Sequence, residues 1–245
     1  MVGSVNSLQP TLVHHETNER VPVGYGGRFY GVYPALVSDV VDPEGLGRVK
    51  VRLPWSPDTD QGAYEAWARL ATFMAGDGRG SWFIPDTGDE VLISFEAGDP
   101  RRPYVVGALW NGRDLPPESM DGAGENRIKS ITTRSGVKVT LDDTDGREAL
   151  LLETPGGQTF VLQDGPGSIE LRDSNGNSVT MEAAGITVTA STKVTINAGA
   201  EVEVSAGMVT VNAGMARFSG VVQAPTLIAN SVVSASYTPG AGNVW

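Results

Sequence analysis

Between Ile169 and Val211 apolar residues recur in pairs separated by one residue: Ile169/Leu171, Val179/Met181, Ile186/Val188, Val194/Ile196, Val202/Val204 and Val209/Val211. Their first members lie 10, 7, 8, 8 and 7 residues apart, an internal repeat close to an octad. Strand alternation sends both members of a pair to one side and the residue between them to the other. Gly199, Gly207, Gly214 and Gly220 follow the later pairs and offer the sharp or left-handed backbone that a turn between strands needs. One repeat presents too few inward side chains to offset a backbone ordering cost of roughly 1–2 kcal/mol per residue. Three copies wound around one axis would triple that number and pair every strand edge. The pattern therefore predicts a homotrimer built on an intertwined prism, with these twelve residues as its core. A monomeric solenoid is the alternative, but its coils need roughly 20 residues or more, and no such period stands out.

The first half of the chain has a different grain. "FYGVYPALVSDV", "DPEGLG" and "RVKVRLPW" read as strand, turn and strand, with Val49, Val51 and Leu53 on one face and Lys50 and Arg52 on the other. "YEAWARLATF" carries Trp67, Leu70 and Phe73 at helical spacing, yet its setting inside a run of short strands favours a strand. Three more apolar runs follow, Trp82 to Ile84, Val91 to Phe95 and Tyr104 to Trp110, cut by Pro-Asp-Thr-Gly and Gly-Asp-Pro turns. Five or six short strands with such turns predict a small closed barrel, in which closure removes exposed edges.

Composition separates the two regions. Thirteen of the 17 aromatic residues and 11 of the 15 prolines lie in residues 1–120, which places a boundary near "WNGRDLPPESMDGAGEN". The expected segments are an N-terminal extension (1–28), a barrel (29–115), a linker (116–130), a shaft (131–224) and a C-terminal cap or tip segment (225–245).

"LGRVKVRLPW", "PDTGDEVLISFEAGDPRRPYVVGALWNG" and "TPGGQTFVLQD…GSIELRDSNGNSVTM", in this order, resemble the spike proteins of contractile injection machines: phage baseplate assembly protein V and the valine-glycine repeat spikes of type VI secretion. The resemblance runs over about residues 29–245. It implies an all-β fold, an oligonucleotide/oligosaccharide-binding (OB) barrel followed by a trimeric β-helix. It further implies a mechanical, membrane-puncturing role in a phage tail-like particle. A separate hub protein would sit at the barrel end and a tip protein of the proline-alanine-alanine-arginine type at the other, with the target membrane met only in passing. Residues 116–130 leave no room for the lysozyme domain that some phage relatives insert there.

Charge and candidate chemistry narrow the function further. The net charge of -11 is shared between the halves, about -6 from residues 1–120 and -5 from the rest, so no basic face invites nucleic acid despite the OB name. With no cysteine, there are no disulfides, thiolate metal sites or cysteine nucleophiles. The only histidines, His14 and His15, are adjacent in the leader, and no Gly-x-Ser-x-Gly elbow places a serine, so nucleophilic hydrolysis is not expected. "LDDTDGRE" groups Asp142, Asp143, Asp145 and Glu148 like a calcium loop, but Asp-Gly between "VKVTL" and "EALLLE" is what a hairpin turn wants. "AGDGRG" leads into "SWFIP" and not a helix, so it reads as a flexible loop and not a phosphate cradle. Asp164, Glu170 and Asp173 are the carboxylates that a glycan-cleaving or glycan-binding tailspike, the rival function, would use. Against it, the outward residues Thr187, Thr189, Thr195, Glu203 and Thr210 form no aromatic platform.

No catalytic, cofactor or metal site is therefore expected, and the chain is expected not to be an enzyme. The tail leaves the octad pattern at Pro225 and ends on Tyr237, Pro239, Val244 and Trp245, which are expected either to cap the prism or to meet a tip protein. No basic, apolar leader precedes the barrel, so synthesis in the cytoplasm and incorporation into a baseplate are expected.

Overall fold

The computed structural model describes residues 27–57 and 63–236 of the 245-residue chain. His14, His15 and the terminal residues Tyr237, Pro239, Val244 and Trp245 lie outside the described residues. The chain divides into two compact units, Met1–Thr192 and Lys193–Trp245.

The first unit begins with seven strands: β1 (Val32–Asp39), β2 (Val49–Pro57), β3 (Ala63–Leu70), β4 (Ala75–Gly76), β5 (Arg79–Gly80), β6 (Glu90–Phe95) and β7 (Pro103–Ala108). Five of them close a barrel in the order β1-β2-β3-β7-β6, with β1 pairing back to β6. All its pairs are antiparallel except β3 with β7. Period-two alternation decides what goes inside: Val49, Val51 and Leu53 of β2, Val91, Ile93 and Phe95 of β6 and Val37 of β1 are buried. Phe29, Tyr33, Trp55 and Phe95 pack ring against ring at one end of this core, with centroids 5.1–5.8 Å apart. The Trp55 indole N–H donates to the Pro34 carbonyl at 2.7 Å.

Between β1 and β2 the loop is organised by one carboxylate. Asp42 accepts backbone N–H groups from Glu44, Leu46 and Arg48 and the Arg48 guanidinium at 2.7 Å. The Arg48 hydrogen bond above all, with the backbone donors adding to it, holds the Asp42 pKa far below the usual carboxylate range although desolvation opposes the shift.

The "YEAWARLATF" segment is strand from Ala63 to Leu70, as barrel closure requires. Two expectations change. Trp82–Ile84 is not a strand, because it has no neighbour to pair with, although Ile84 packs against the barrel core. "AGDGRG" is an ordered hairpin, β4 pairing β5 around Asp77-Gly78. Its compactness depends on Gly80, where a Cβ would lie 2.6 Å from the Met74 carbonyl oxygen.

Seven strands of five residues each follow: β8 (Ile128–Thr132), β9 (Lys138–Asp142), β10 (Ala149–Glu153), β11 (Thr159–Gln163), β12 (Ser168–Arg172), β13 (Ser178–Glu182) and β14 (Gly185–Thr189). Each pairs antiparallel with the next, so the sheet is an up-and-down ladder running in sequence order. Its turns are set by a periodic glycine. Gly136, Gly146, Gly157, Gly167, Gly176 and Gly185 stand 10, 11, 10, 9 and 9 residues apart, and all have positive φ, between 62° and 131°. The turns close by short backbone bonds, such as Gly136 N–H to the Thr133 carbonyl at 2.9 Å and Gly167 N–H to the Asp164 carbonyl at 2.8 Å. Turns on the same edge of the ladder recur about every 20 residues, a period that alternation of the apolar pairs concealed.

In the second unit, described from Lys193 to Ser236, no strand pairs within the chain. Here the glycines are spaced 8, 7 and 6 residues apart, and none of Gly199, Gly207, Gly214 and Gly220 takes the left-handed backbone, one of the two forms expected there. A repeat this short leaves only two or three residues for a return turn after a five-residue strand, and a two-residue return needs positive φ. Without it the segment does not fold back on itself.

Candidate functional site: the apolar face of the ladder

Strand register turns the apolar pairs into two unbroken rows. In one, Leu141, Leu150, Leu162, Ile169, Met181 and Ile186 stand opposite one another from β9 to β14. In the other, Ile131, Val139, Leu152, Phe160, Leu171, Val179 and Val188 run from β8 to β14. Both rows lie on the same face of the sheet, because their members occupy the second and fourth positions of five-residue strands. Lys129 is the single polar member, at the β8 end, where its ammonium meets the Asp143 carboxylate at 2.6 Å.

This face has no cover within the chain. Leu141 is 47% exposed, Ile169 38% and Ile186 70%, while Leu150 and Leu162 between the first two are half-buried. Beyond the ladder, Val194, Ile196, Val202, Val204, Val209 and Val211 are each more than half exposed. Within the ladder, two adjacent apolar rows of this extent mark an interaction face. Burying each such side chain is worth up to about 1.5–3 kcal/mol.

The opposite face is different in kind. Its central row reads Ser130, Thr140, Leu151, Val161, Glu170, Thr180 and Thr187, polar toward β14. Near β8 and β9 it is covered by the linker: Glu118 pairs with Lys138 at 2.6 Å, and the Lys138 bond, followed by one from Ser130, lowers its acid pKa. Thr140 is buried there. Arg134, in the first ladder turn, reaches Asp86 of the barrel at 3.0 Å. Both sides of the linker are thus tied, barrel to ladder and linker to ladder.

The ladder also disposes of the candidate chemical groups. Asp142 accepts the Thr144 N–H in a hairpin turn, Asp143 pairs with Lys129, and Asp145 lies 3.5 Å from Arg127, which is the turn arrangement and not a shared cage. Among the described residues no three acidic or histidine side chains converge as metal ligands. Asp164 and Asp173 occupy turns on opposite edges, and Glu170 pairs with Arg172 within β12. Asp173 is fully engaged by the side chains and N–H groups of Asn175 and Asn177, led by the Asn177 amide, which hold its pKa at about 2.

Of the twelve expected core residues, Ile169, Leu171, Val179, Met181, Ile186 and Val188 share one face and stand in register. The other six lie in the second unit, exposed and unpaired within the chain. The pair pattern missed Ile131, Val139, Leu141, Leu150, Leu152, Phe160 and Leu162. Their signal was the ten-residue glycine spacing, which carries the same apolar-x-apolar unit back through "VTL", "LLL" and "FVL".

A closed five-stranded barrel leading into a hairpin ladder with one bare apolar face defines an all-β barrel-and-shaft protein. Residues 33–110 match the type VI secretion system/phage-baseplate injector OB domain. Residues 149–216 match the phage baseplate V C-terminal trimerisation domain. Among relatives, the type VI secretion system spike proteins VgrG1b and VgrG1a of Pseudomonas aeruginosa are each 30% identical over 139 residues, 51% of this chain. Spike protein VgrG3 of Vibrio cholerae is 30% identical over 128 residues, 48% of this chain. These matches span only 19%, 22% and 13% of the three relatives' own lengths. The chain belongs to the phage baseplate V and valine-glycine repeat spike family, and its C-terminal half carries that family's trimerisation domain.

Proposed function

We propose that the chain is one of three identical copies in the central spike of a contractile injection system, a structural part that is driven through a target envelope. The observation that carries this reading is the pair of apolar rows from Ile131 to Val188, in register on one face and without cover inside the chain. Two further copies supply the missing half of that core, and Val194 to Val211 form strands that pair between chains. The trimerisation domain matched by residues 149–216 and the spike relatives support the same assignment. The barrel end meets a separate hub protein, and the C-terminal end, where Tyr237, Pro239, Val244 and Trp245 lie, caps the shaft or carries a tip protein. In this role the protein works by stiffness and needs no catalytic group, cofactor or metal. It reaches its place by assembly into a baseplate; among the described residues no helix is long and apolar enough to cross a membrane. Light scattering at micromolar concentration tests the reading: three times the 25.8 kDa chain mass is expected, and a stable single chain would refute it.

A further inference from the structure

The segment between β3 and β6 is an arm that the barrel does not need for closure. It presents Phe73, Trp82 and Phe83 to solvent, 100%, 75% and 69% exposed, beside Met74. Its shape is nonetheless fixed. β4 pairs β5, the Ser81 N–H donates to the Met74 carbonyl at 2.9 Å, and the Thr72 hydroxyl donates to the Ser81 carbonyl at 2.9 Å. The Trp82 ring lies against Gly47, 3.1 Å from where a Cβ would stand. Holding large aromatic side chains outward beside an ordered hairpin, with little cover beyond the Trp82–Gly47 contact, is the signature of a docking element.

Three observations say what covers it. First, the arm runs directly into Asp86, which is bound to Arg134 in the first turn of the ladder, so its root is fixed at a turn-bearing edge of that sheet. In a three-sided shaft with one sheet per copy, that edge is where the neighbouring copy begins. Second, the hairpin that carries Arg134 is itself apolar at its surface: Val137 and Ile131 are exposed. Third, residues 71–84 hold one acid, Asp77, and one base, Arg79, so three arms can gather without the repulsion that a chain of net charge -11 otherwise imposes.

We infer that the arm is an intersubunit clasp: Phe73, Trp82 and Phe83 of one copy dock on the barrel or the β8–β9 hairpin of the next. The clasp rests on the trimer reading above and extends it from the shaft to the barrel. It locks the three barrels in a fixed rotation where the shaft begins.

Full-length protein carrying p-benzoylphenylalanine in place of Phe73 or Phe83 tests this, with Arg113, a surface side chain 93% exposed, as the control position. Light scattering first establishes the assembly state, and irradiation followed by a denaturing gel then reads the contact. The expected result is a trimer in which the Phe73 and Phe83 variants give a band at twice the chain mass and the Arg113 variant gives little or none. Mass spectrometry should place the cross-link in the barrel or the β8–β9 hairpin of another copy. A trimer without that band overturns the clasp and leaves the spike reading standing. Cross-links formed only to a different protein added to the mixture also overturn it. A single chain in solution overturns both.

Discussion

Val179 stands directly opposite Val188 across the β13–β14 pair, and the two occupy the same apolar row although their pairs are separated by a glycine turn. Among the described residues β14 is the last strand paired within the chain, so this contact marks the point where such pairing ends.

A carboxylate there should be intolerable in the assembled protein. Val179→Asp would bury three charges near one another, and an unpaired buried charge costs several kcal/mol. Loss of the trimer at micromolar concentration is expected by light scattering. Thr187→Asp, on the polar face of β14, should leave the trimer intact.

Turn geometry gives a second test. Gly157 has φ of 84°, and a Cβ there would lie 3.4 Å from that of Ser174 in the next turn on the same edge. Gly157→Val should cost about 1–3 kcal/mol per chain through backbone strain, seen as faster loss of the trimer on heating. Gly112→Ala, in open space without positive φ, should have little effect.

Acid should loosen the ladder turn at Asp173 unusually late. Its folded pKa of about 2 lies below the roughly 3.9 of an unfolded aspartate. A depressed carboxylate pKa contributes stability that is complete above the unfolded value and disappears as pH falls through the folded one. The amide signals of Asn175 and Asn177 should therefore titrate with a midpoint near pH 2, and a midpoint near 4 would show the carboxylate to be free.

In the proposed trimer the second unit pairs with strands of other copies, so its order should follow assembly. Val204→Asp is expected to leave the ladder assembled while residues 193–236 lose hydrogen-exchange protection, read by mass spectrometry. Retained protection would mean that the segment is held by contacts other than its apolar pairs.

Much of this was legible without coordinates. Alternation alone put Val49, Val51 and Leu53 on one face, and that face is the buried one in the barrel. Alternation likewise placed Ile169/Leu171, Val179/Met181 and Ile186/Val188 each on one side of a strand, and register brings these three pairs to one face. Less legible was the change of architecture within the full series of pairs. Ile169 to Val188 belong to hairpins with positive-φ glycines every nine to eleven residues, whereas Val194 to Val211 follow glycines spaced too closely for the same turn. An apolar pair looks the same in both settings, because it reports only which side a residue faces.

The sequence by itself determined the strand periodicity and the lack of thiol chemistry. Both are local properties, fixed by residue type and spacing. Only the tertiary structure decided that the pairs from β8 to β14 align into two continuous rows, that Glu118 and Arg134 tie linker and barrel to the ladder, and that the aromatic arm stands uncovered at the shaft's beginning. Those depend on register, on turn handedness and on contacts between residues distant in the chain, which no local pattern encodes.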